Sequence, residues 1–250
     1  MFAIKYLRMI MGNKSLIIFL YGACMINNVY AEEQNRVQKF EALLGRTRLI
    51  YNLSDKGVVL NVKNPQDYPI LVQSKIYNNN DSADNDFIIS PPIFRLDNNQ
   101  DTDIVINRVK GNYSQKQETL KKLCVRAIPP KASDLWNTKE DNVQIMMMNV
   151  SINTCIKLII RPEHIGSVTN NSIHSITWSV QGTQLFVSNN SPHYITLAGV
   201  KINGVNIRSD SVIAPYSKKP YSTIKNKNGN ITWAIVDDLG AISSEKSVTF

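Results

Sequence analysis

The sequence contains few of the residues from which catalytic and metal centres are usually built. Its 250 residues include three cysteines and three histidines, and His164, His174 and His193 are scattered, with no short spacing to a cysteine. Zinc sites need such short spacings. The sequence also has no phosphate-binding glycine loop, Gly-x-Ser-x-Gly elbow or His-Glu-x-x-His helix motif. We therefore expect no metal, no cofactor and no enzymatic activity.

Acidic side chains are fewer than basic ones, 20 against 28, which gives a net charge of +8. A basic protein can attract nucleic acid when its positive charges cluster. Here the lysines and arginines are dispersed along the chain. We interpret them as a mildly basic solvated surface and expect no nucleic-acid partner.

Residues 1–31 have the order of a secretory signal peptide. Lys5, Arg8 and Lys14 occur without any acidic residue, an apolar run covers 16–26, and a small residue, Ala31, ends the segment. The alternative is a membrane anchor, but a spanning helix needs about 20 apolar residues and this run is much shorter. We predict a cleaved signal and an exported chain without stable membrane insertion.

Cleavage would remove Cys24 and leave Cys124 and Cys155. Two cysteines in an exported chain suggest one disulfide, which would stabilise the fold by roughly 3–4 kcal/mol in the chain-entropy model. The alternative is a pair of buried free thiols.

Short strand-like runs separated by Asn- and Asp-rich turns dominate the rest of the sequence. The first set is 48–51, 58–63, 70–77, 87–89, 93–96, 103–108, 120–128 and 143–160. The second set is 175–180, 184–188, 195–202, 205–207, 219–224, 231–236 and 247–250. Such spacing is typical of all-β sandwiches, and Pro162 interrupts the pattern between the two sets. We predict two β-sandwich domains, 32–161 and 162–250, with a long loop at 129–141.

The segment 142–162 has the longest strand pattern of the chain. The even-numbered positions Met146, Met148, Val150 and Ile152 are apolar, and the same parity continues at Ile156, Leu158 and Ile160. A long apolar strand is an aggregation hazard at an exposed edge. This strand therefore either lies within a sheet or serves to pair with another chain.

Two basic residues stand in settings suited to binding a carboxylate. Lys157 lies on the long strand, on the face opposite Ile156 and Leu158, and Arg48 follows the alternating run Phe40, Ala42 and Leu44. Arginine and lysine on neighbouring strands can grip a carboxylate through charge-assisted hydrogen bonds. From spacing alone, the simpler alternative is that both are ordinary solvent-facing strand charges.

Four motifs resemble those of the periplasmic chaperones of the chaperone–usher pathway. They are LGRTRLIY at 44–51, SPPIFRL at 90–96, LCVRAIPP at 123–130 and CIKLIIRP at 155–162. They occur in the family's order and spacing. The resemblance implies two immunoglobulin-like domains in a boomerang arrangement, and a chaperone that lends a β-strand to an incomplete subunit sandwich.

The resemblance also assigns roles to individual residues. It implies that Arg48 and Lys157 anchor the C-terminal carboxylate of the subunit. The donor strand would carry the side chains of Met146, Met148, Val150 and Ile152. Methionine is flexible, so two of these positions would adapt to different subunit grooves. Packing in the chaperone's own core is the alternative role of these four side chains.

The long loop and the two cysteines match the long-loop branch of that family, which serves thin fimbriae or non-fimbrial adhesins. In that branch a disulfide joins the two strands that flank the loop, here through Cys124 and Cys155. An extended N-terminal strand adds further subunit contacts. The candidate contacts in this sequence are Val37, Phe40, Ala42 and Leu44.

The sequence departs from the family pattern at the interdomain salt bridges. Ala127 replaces the usual acidic residue or glycine, and the basic residue expected upstream is either replaced by Val105 or displaced to Arg108. Asp238 matches the acidic position of the second domain. The sequence therefore leaves open whether that network is kept.

The resemblance implies a periplasmic, non-enzymatic chaperone that receives fimbrial or adhesin subunits and yields them to an outer-membrane usher. A two-domain surface adhesin or structural subunit is the main alternative, and a sandwich-fold hydrolase is a third. An exposed donor strand also leaves self-association of the free chain open.

Overall fold

The structure is a computed structural model that describes residues 36–129, 147–208, 211–225 and 228–250. The chain divides into two compact units. One comprises Met1–Val37 and Asn142–Met148, and the other comprises Gln38–Asp141 and Asn149–Phe250. The second unit contains two separate hydrophobic cores, each inside a β-sandwich. The predicted signal segment 1–31, residues 130–141 of the predicted loop, and Met146 lie outside the described residues.

The strands up to residue 161 are β1 (Arg36–Phe40), β2 (Leu43–Leu44), β3 (Arg48–Asn52), β4 (Val58–Lys63), β5 (Ile70–Asn78), β6 (Phe87–Ser90), β7 (Ile93–Leu96), β8 (Asp101–Arg108), β9 (Thr119–Ile128), β10 (Met147–Ser151) and β11 (Asn153–Arg161). One sheet of the first sandwich has the order β3-β11-β9-β5-β7, and the other has the order β2-β4-β8-β6. The strands β1 and β10 form a separate two-stranded sheet.

Period-two patterning explains why these runs form a sandwich. On β4, Leu60 and Val62 are fully buried while Val59 is half exposed, and on β8 Ile104 and Ile106 are fully buried. Successive side chains of a strand point to opposite faces, so alternate apolar residues place one face in the core. The predicted all-β sandwich architecture is confirmed for this half of the chain.

A buried asparagine fixes the turns at one end of the first sandwich. The Asn64 side-chain amide donates to the carbonyl oxygens of Tyr68, Leu96 and Asp97 at 2.8, 3.3 and 2.9 Å. Its own oxygen accepts the Gln66 backbone N–H at 3.0 Å. Because buried polar groups need partners, one side chain joins two of the turns that the sequence predicts.

The second sandwich begins with a short 3₁₀ helix, Asn170–Ser175. Its strands are β12 (Ile176–Gln181), β13 (Gln184–Asn189), β14 (Ile195–Ile202), β15 (Val205–Asn206), β16 (Val212–Ile213), β17 (Lys218–Thr223), β18 (Asn230–Val236) and β19 (Lys246–Thr249). One sheet has the order β12-β13-β17, and the other has the order β15-β14-β18-β19 with β16 also paired to β14. Trp178, Tyr221 and Trp233 pack edge to face in this core.

The predicted continuous strand at 143–160 is wrong in one respect. The described part of this segment forms two strands, β10 and β11, interrupted at Ile152. The Ile152 N–H donates to the Phe40 carbonyl at 2.8 Å, and the Ala127 N–H donates to the Ile152 carbonyl at 3.2 Å. The interruption therefore falls where the chain changes partner, from β1 to the central position between β3 and β9.

Among the described residues, no helix has the length and apolar character needed to cross a lipid bilayer.

Candidate functional site

Arg48 and Lys157 are direct neighbours across a parallel pair of strands. The pairing of β11 with β3 sets Lys157 opposite Arg48 and continues to Arg161 opposite Asn52. On its other side, β11 pairs antiparallel with β9, and Lys157 lies opposite Lys122. The sheet therefore carries three basic residues in one row, on three adjacent strands.

Lys157 lines a cleft of about 530 Å³ in which both sandwiches take part. The first sandwich contributes Thr47, Asn79, Leu120, Lys122, Cys155, Ile156 and Lys157 to the lining, and the second contributes Tyr194, Val212, Ala214, Ser217 and Lys219. Three of these side chains are lysines and none is acidic. A cleft of this size and charge suits an anionic group.

Arg48 is positioned differently from its neighbour. Its side chain is buried, with 6% exposure for the residue, and its Nη1 donates to the Val236 carbonyl at 3.2 Å. Its Nε is buried and has no hydrogen-bond partner among the described residues. Burial lowers the pKa of Arg48 because it disfavours the charged form, while Asp238, Asp237 and Glu118 act in the opposite direction.

An ion-pair network centred on Arg161 lies near this cleft. Arg161 Nε donates to Glu118 Oε1 at 2.6 Å, and its Nη1 and Nη2 donate to Asp238 Oδ2 and Oδ1 at 2.6 and 2.7 Å. Glu118 immediately precedes β9 in the first sandwich, and Asp238 follows β18 in the second. The network therefore ties the two sandwiches together through one buried guanidinium.

The charges of the network are well partnered. Burial alone would lower the pKa of Arg161, but the hydrogen bond to Asp238 and the charge of Glu118 outweigh it, so the pKa is raised. The second oxygen of Glu118 accepts the Tyr194 backbone N–H at 2.7 Å, and His193 Nδ1 lies 3.0 Å from the first. Arginine holds a carboxylate well through two parallel N–H donors. The sequence left this network open, and the structure contains one.

The candidate donor strand presents apolar side chains to solvent. Met148 is 57% exposed and Val150 is 38% exposed, whereas Ile152 is half-buried. The alternative role of Met148 and Val150, packing in the core of the chain itself, is not seen. Met146 lies outside the described residues.

From Ile156 onward, the even-numbered side chains of the strand point into the molecule. Ile156, Leu158 and Ile160 are buried in the first core. The exposed apolar residues Met148 and Val150 on β10 are therefore followed, after the interruption at Ile152, by core residues on β11, and Lys157 lies between the first two of these. This geometry suits extension of the hydrophobic core by another chain that aligns on the same strand.

Two sequence-family models match almost the whole described chain. The model for the pili and flagellar-assembly chaperone, PapD N-terminal domain, matches residues 42–166, and that for the pili assembly chaperone PapD, C-terminal domain, matches residues 171–247. The chain belongs to the PapD-like family of pilus-assembly chaperones. This membership favours the chaperone interpretation over the adhesin and hydrolase alternatives.

Similar proteins of the family include the chaperone protein MyfB of Yersinia enterocolitica, which is 34% identical over 82% of this chain and 82% of its own length. A chain of the Salmonella enterica SafA pilin complex with the SafB chaperone superposes with a TM-score of 0.76 and 31% identity, over 86% of this chain and 99% of that one. The Escherichia coli chaperone DraB superposes with a TM-score of 0.74 and 30% identity, over 86% of this chain and 98% of that one. These likenesses confirm two immunoglobulin-like sandwiches.

The pilus-chaperone disulfide predicted from the sequence is present. Cys124 and Cys155 lie directly opposite each other on β9 and β11, with an S–S distance of 2.05 Å and a Cα–Cα distance of 4.0 Å. Cys155 also lines the cleft, two residues before Lys157. The bond therefore fixes the two strands that carry Lys122 and Lys157.

The candidate contacts on the N-terminal strand lie mostly inside the molecule. Phe40 and Ala42 are 1% and 3% exposed and belong to the first core, and Leu44 packs against that core. The side chain of Val37 lies outside the described residues. In this structure Phe40 and Ala42 are packing residues, because the apolar side chains at these alternating positions point into the first core.

Sequence reasoning missed three residues of this region. Glu118 lies in an irregular polar stretch without motif content, and Lys122 and Lys219 lie on strands where lysine is an ordinary surface residue. The position of Lys122 could have been predicted from the disulfide. If Cys124 and Cys155 lie opposite each other on antiparallel strands, Lys122 necessarily lies opposite Lys157.

Proposed function

We propose that this chain is a periplasmic, non-enzymatic chaperone that binds fimbrial or adhesin subunits and completes their fold with its own β-strand. Met148, Val150 and Ile152, together with Met146, are the residues that we assign to strand donation. The subunit would then pass to an outer-membrane usher. Release by strand exchange needs no nucleotide or other cofactor.

The observation that carries this proposal is the exposed apolar edge of β10 running into β11. Strand pairing supplies backbone hydrogen bonds, and alternating apolar side chains fill an incomplete core. Met148 and Val150 are both exposed and two residues apart, as such a contact requires. The SafA–SafB complex, a pilin bound to its chaperone, supports the same partner class for this chain.

We assign Lys157 and Arg48 as the anchor of the subunit's C-terminal carboxylate. Lys157 lines the cleft, and the buried Arg48 beside it has an unsatisfied Nε. A buried donor without a partner costs about 1–3 kcal/mol, which an incoming carboxylate would recover. The anchor sets the register of the donor strand, because a slip of one residue would turn every donor side chain away.

We also propose the division of the exported chain into residues 32–161 and 162–250, with residues 1–31 as the cleaved signal. The family models meet between residues 166 and 171, which supports a boundary in this region. The N-terminal strand would contribute Val37 and Leu44 to the subunit contact, with Phe40 and Ala42 supporting it from the core.

The test is co-expression of the full chain with the fimbrial subunit encoded beside it, followed by purification from the periplasm. We expect a soluble one-to-one complex that Lys157→Ala abolishes. Lys63→Ala, which removes an exposed lysine on β4 outside the cleft, is the matched control and should leave the complex intact.

Two results would contradict the proposal. If the chain polymerises alone and captures no subunit, it acts as a structural subunit. If Lys157→Ala captures as much subunit as the unmodified chain, the carboxylate anchor lies elsewhere.

A further inference from the structure

Tyr216 adopts a backbone conformation that is costly for its residue type. It is the third residue of the turn 214–217, follows a proline, and has a φ of +48°. Turns of this pattern normally carry glycine or asparagine at the third position, because a bulky side chain is crowded in the left-handed region. A tyrosine here therefore costs stability that glycine or asparagine would not.

Neighbouring segments of the second sandwich hold this turn in place. The Tyr216 N–H donates to the Ser191 carbonyl at 3.2 Å, and the Asn189 N–H donates to the Ser217 carbonyl at 2.9 Å. The buried side-chain amide of Asn189 donates to the Ala214 carbonyl at 3.0 Å. A strained conformation persists only where its surroundings over-determine it. These bonds therefore keep the turn in the conformation that is unfavourable for tyrosine.

The side chain of Tyr216 faces solvent. Tyr216 is 60% exposed, whereas Pro215 beside it is buried. Burial in the sandwich therefore does not explain why a tyrosine occupies this position. Tyrosine has a large apolar ring and a polar tip, and it is enriched in the contact surfaces between proteins. An exposed tyrosine that is held at a cost in stability points to a contact with another chain.

The strand register places this turn at the end of the sheet that faces the first sandwich. The strands β16 and β14 pair antiparallel, with Ile213 opposite Ile195, so the chain leaves β16 in the direction of Tyr194. Tyr194 is tied to the first sandwich, because its N–H donates to Glu118 Oε2 at 2.7 Å. The turn that follows β16 therefore lies where the two sandwiches meet.

Tyr216 stands beside the proposed subunit cleft. Ala214 and Ser217, the first and last residues of its turn, line the cleft together with Lys157. The last few residues of a subunit whose carboxylate is bound there lie within or next to the cleft, because an extended residue advances only about 3.3 Å. The exposed ring thus adjoins the surface that the proposed function already assigns to the subunit.

We propose that Tyr216 is a subunit-contact residue, whose ring packs on the last residues of the bound fimbrial or adhesin subunit. The strained turn then holds a large aromatic side chain in a fixed place before the subunit arrives. A side chain that is ordered in advance loses little freedom on binding. This inference rests on the proposed function, because it adds a contact from the second sandwich to the same bound subunit.

The experiment is a competition for one subunit in the periplasm. The unmodified chain and a variant carry different affinity tags and are co-expressed with a limiting amount of the fimbrial subunit encoded beside this chain. The subunit recovered on each tag is then measured, together with the denaturant midpoint of each purified variant. The variants are Tyr216→Asn, which suits a positive φ, and Tyr216→Phe, which keeps the ring.

Val205→Asn is the matched control. Val205 is 65% exposed and lies on the same sandwich. It pairs with Ile202 at the last residue of β14, whereas β16 pairs with the first two residues of that strand. At about 3.3 Å per residue, the control lies about 20 Å from the end of the sheet that carries the turn.

We expect Tyr216→Asn to recover about one fifth as much subunit as the unmodified chain or less, a loss typical of truncating a tyrosine in an interface. Its denaturant midpoint should stay the same or rise, because asparagine tolerates a positive φ better than tyrosine does. Tyr216→Phe and Val205→Asn should each recover as much subunit as the unmodified chain.

Equal recovery by Tyr216→Asn and the unmodified chain would overturn the inference, while the capture itself would leave the proposed function standing. A lower denaturant midpoint for Tyr216→Asn would also overturn it, since Tyr216 would then be a structural residue. Loss of subunit by Tyr216→Phe as large as that by Tyr216→Asn would contradict packing of the ring. If the unmodified chain captured no subunit, the proposed function and this inference would both fail.

Discussion

Arg48 and Lys157 stand opposite each other on parallel strands, yet only Lys157 lines the cleft. Arg48 is buried and does not line it, and its guanidinium donates to the Val236 carbonyl of the second sandwich. The two cations therefore differ in their environment. One is accessible to a ligand, and the other is a buried charge that is incompletely satisfied.

This difference predicts separate effects on binding and stability for Arg48→Met. The substitution removes a desolvated charge and one hydrogen bond to the Val236 carbonyl but keeps an apolar stem, so relief of the desolvation cost offsets the lost bond. We expect the free energy of unfolding to change by about 1 kcal/mol or less, while subunit capture is lost. Denaturant unfolding and co-purification measure the two quantities.

Arg46→Met is the matched control for that substitution, because Arg46 is exposed and only two residues away. It should affect neither quantity. Retained subunit capture by Arg48→Met would show that Arg48 serves the contact between the sandwiches alone.

Met148→Asp and Val150→Asp test the donor strand. Both side chains are exposed in the free chain, so the free energy of unfolding should change little. Insertion into a subunit core would bury an unpaired carboxylate, and we expect binding to fall by about tenfold or more. Asn149→Asp introduces the same charge on the opposite parity and should be tolerated better. A large loss of the chain's own stability would identify Met148 or Val150 as a core residue instead.

Asp238→Asn tests the network that ties the sandwiches together. It removes the charge that faces the buried Arg161 guanidinium, and breaking a buried pair is far more costly than losing a surface pair. We expect the free energy of unfolding to fall by about 2–3 kcal/mol, since Asn keeps one acceptor oxygen. Denaturant unfolding followed by tryptophan fluorescence measures this change.

Asp97→Asn is the control for that measurement, because Asp97 pairs with Arg95 at the surface with both side chains about half exposed. Its cost should stay below about 1 kcal/mol. Equal costs for the two substitutions would mean that the Arg161 network contributes no more than a surface ion pair.

A pH dependence follows from Asp86. The Tyr113 hydroxyl donates to Asp86 Oδ2 at 2.7 Å, and this bond, more than the nearby Lys121 charge, lowers the pKa of Asp86. A lowered pKa stabilises the fold above the unfolded-state value of about 3.9, and this contribution is lost as the pH falls through the lower folded-state value. Tyr113→Phe should therefore cost about 1 kcal/mol near neutral pH and less in acid.

The measurement for this prediction is the difference in unfolding free energy between the unmodified chain and Tyr113→Phe, taken at several values from about pH 7 to about pH 2. A difference that stays constant across this range would show that the hydroxyl does not act through the charge of Asp86.

Much of the fold can be predicted from local sequence patterns. The alternation of β4 and β8 and the turns between strands follow from residue types that are visible in the sequence, and the pairing of Cys124 with Cys155 follows from composition and export. These features depend on near neighbours along the chain or on covalent chemistry. They can therefore be predicted without knowledge of tertiary contacts.

The remaining features depend on contacts between distant segments. The interruption at Ile152 falls where the chain leaves β1, and the last contact with that segment is the bond from the Ile152 N–H to Phe40, more than a hundred residues earlier. Glu118 meets Arg161 only because the turn before β9 approaches His193 and Tyr194 of the second sandwich. Phe40 and Ala42 show apolar parity, but parity alone does not say whether that face meets the chain's own core or a partner.

Strand donation is tested by amide hydrogen exchange of residues 147–156 in the free chain and in its complex with a subunit. Strand donation predicts strong new protection across β10 and the start of β11 on binding, and loss of this protection in the Lys157→Ala variant. A complex that forms while the exchange of these amides stays unchanged would contradict strand donation, because the subunit would then bind elsewhere.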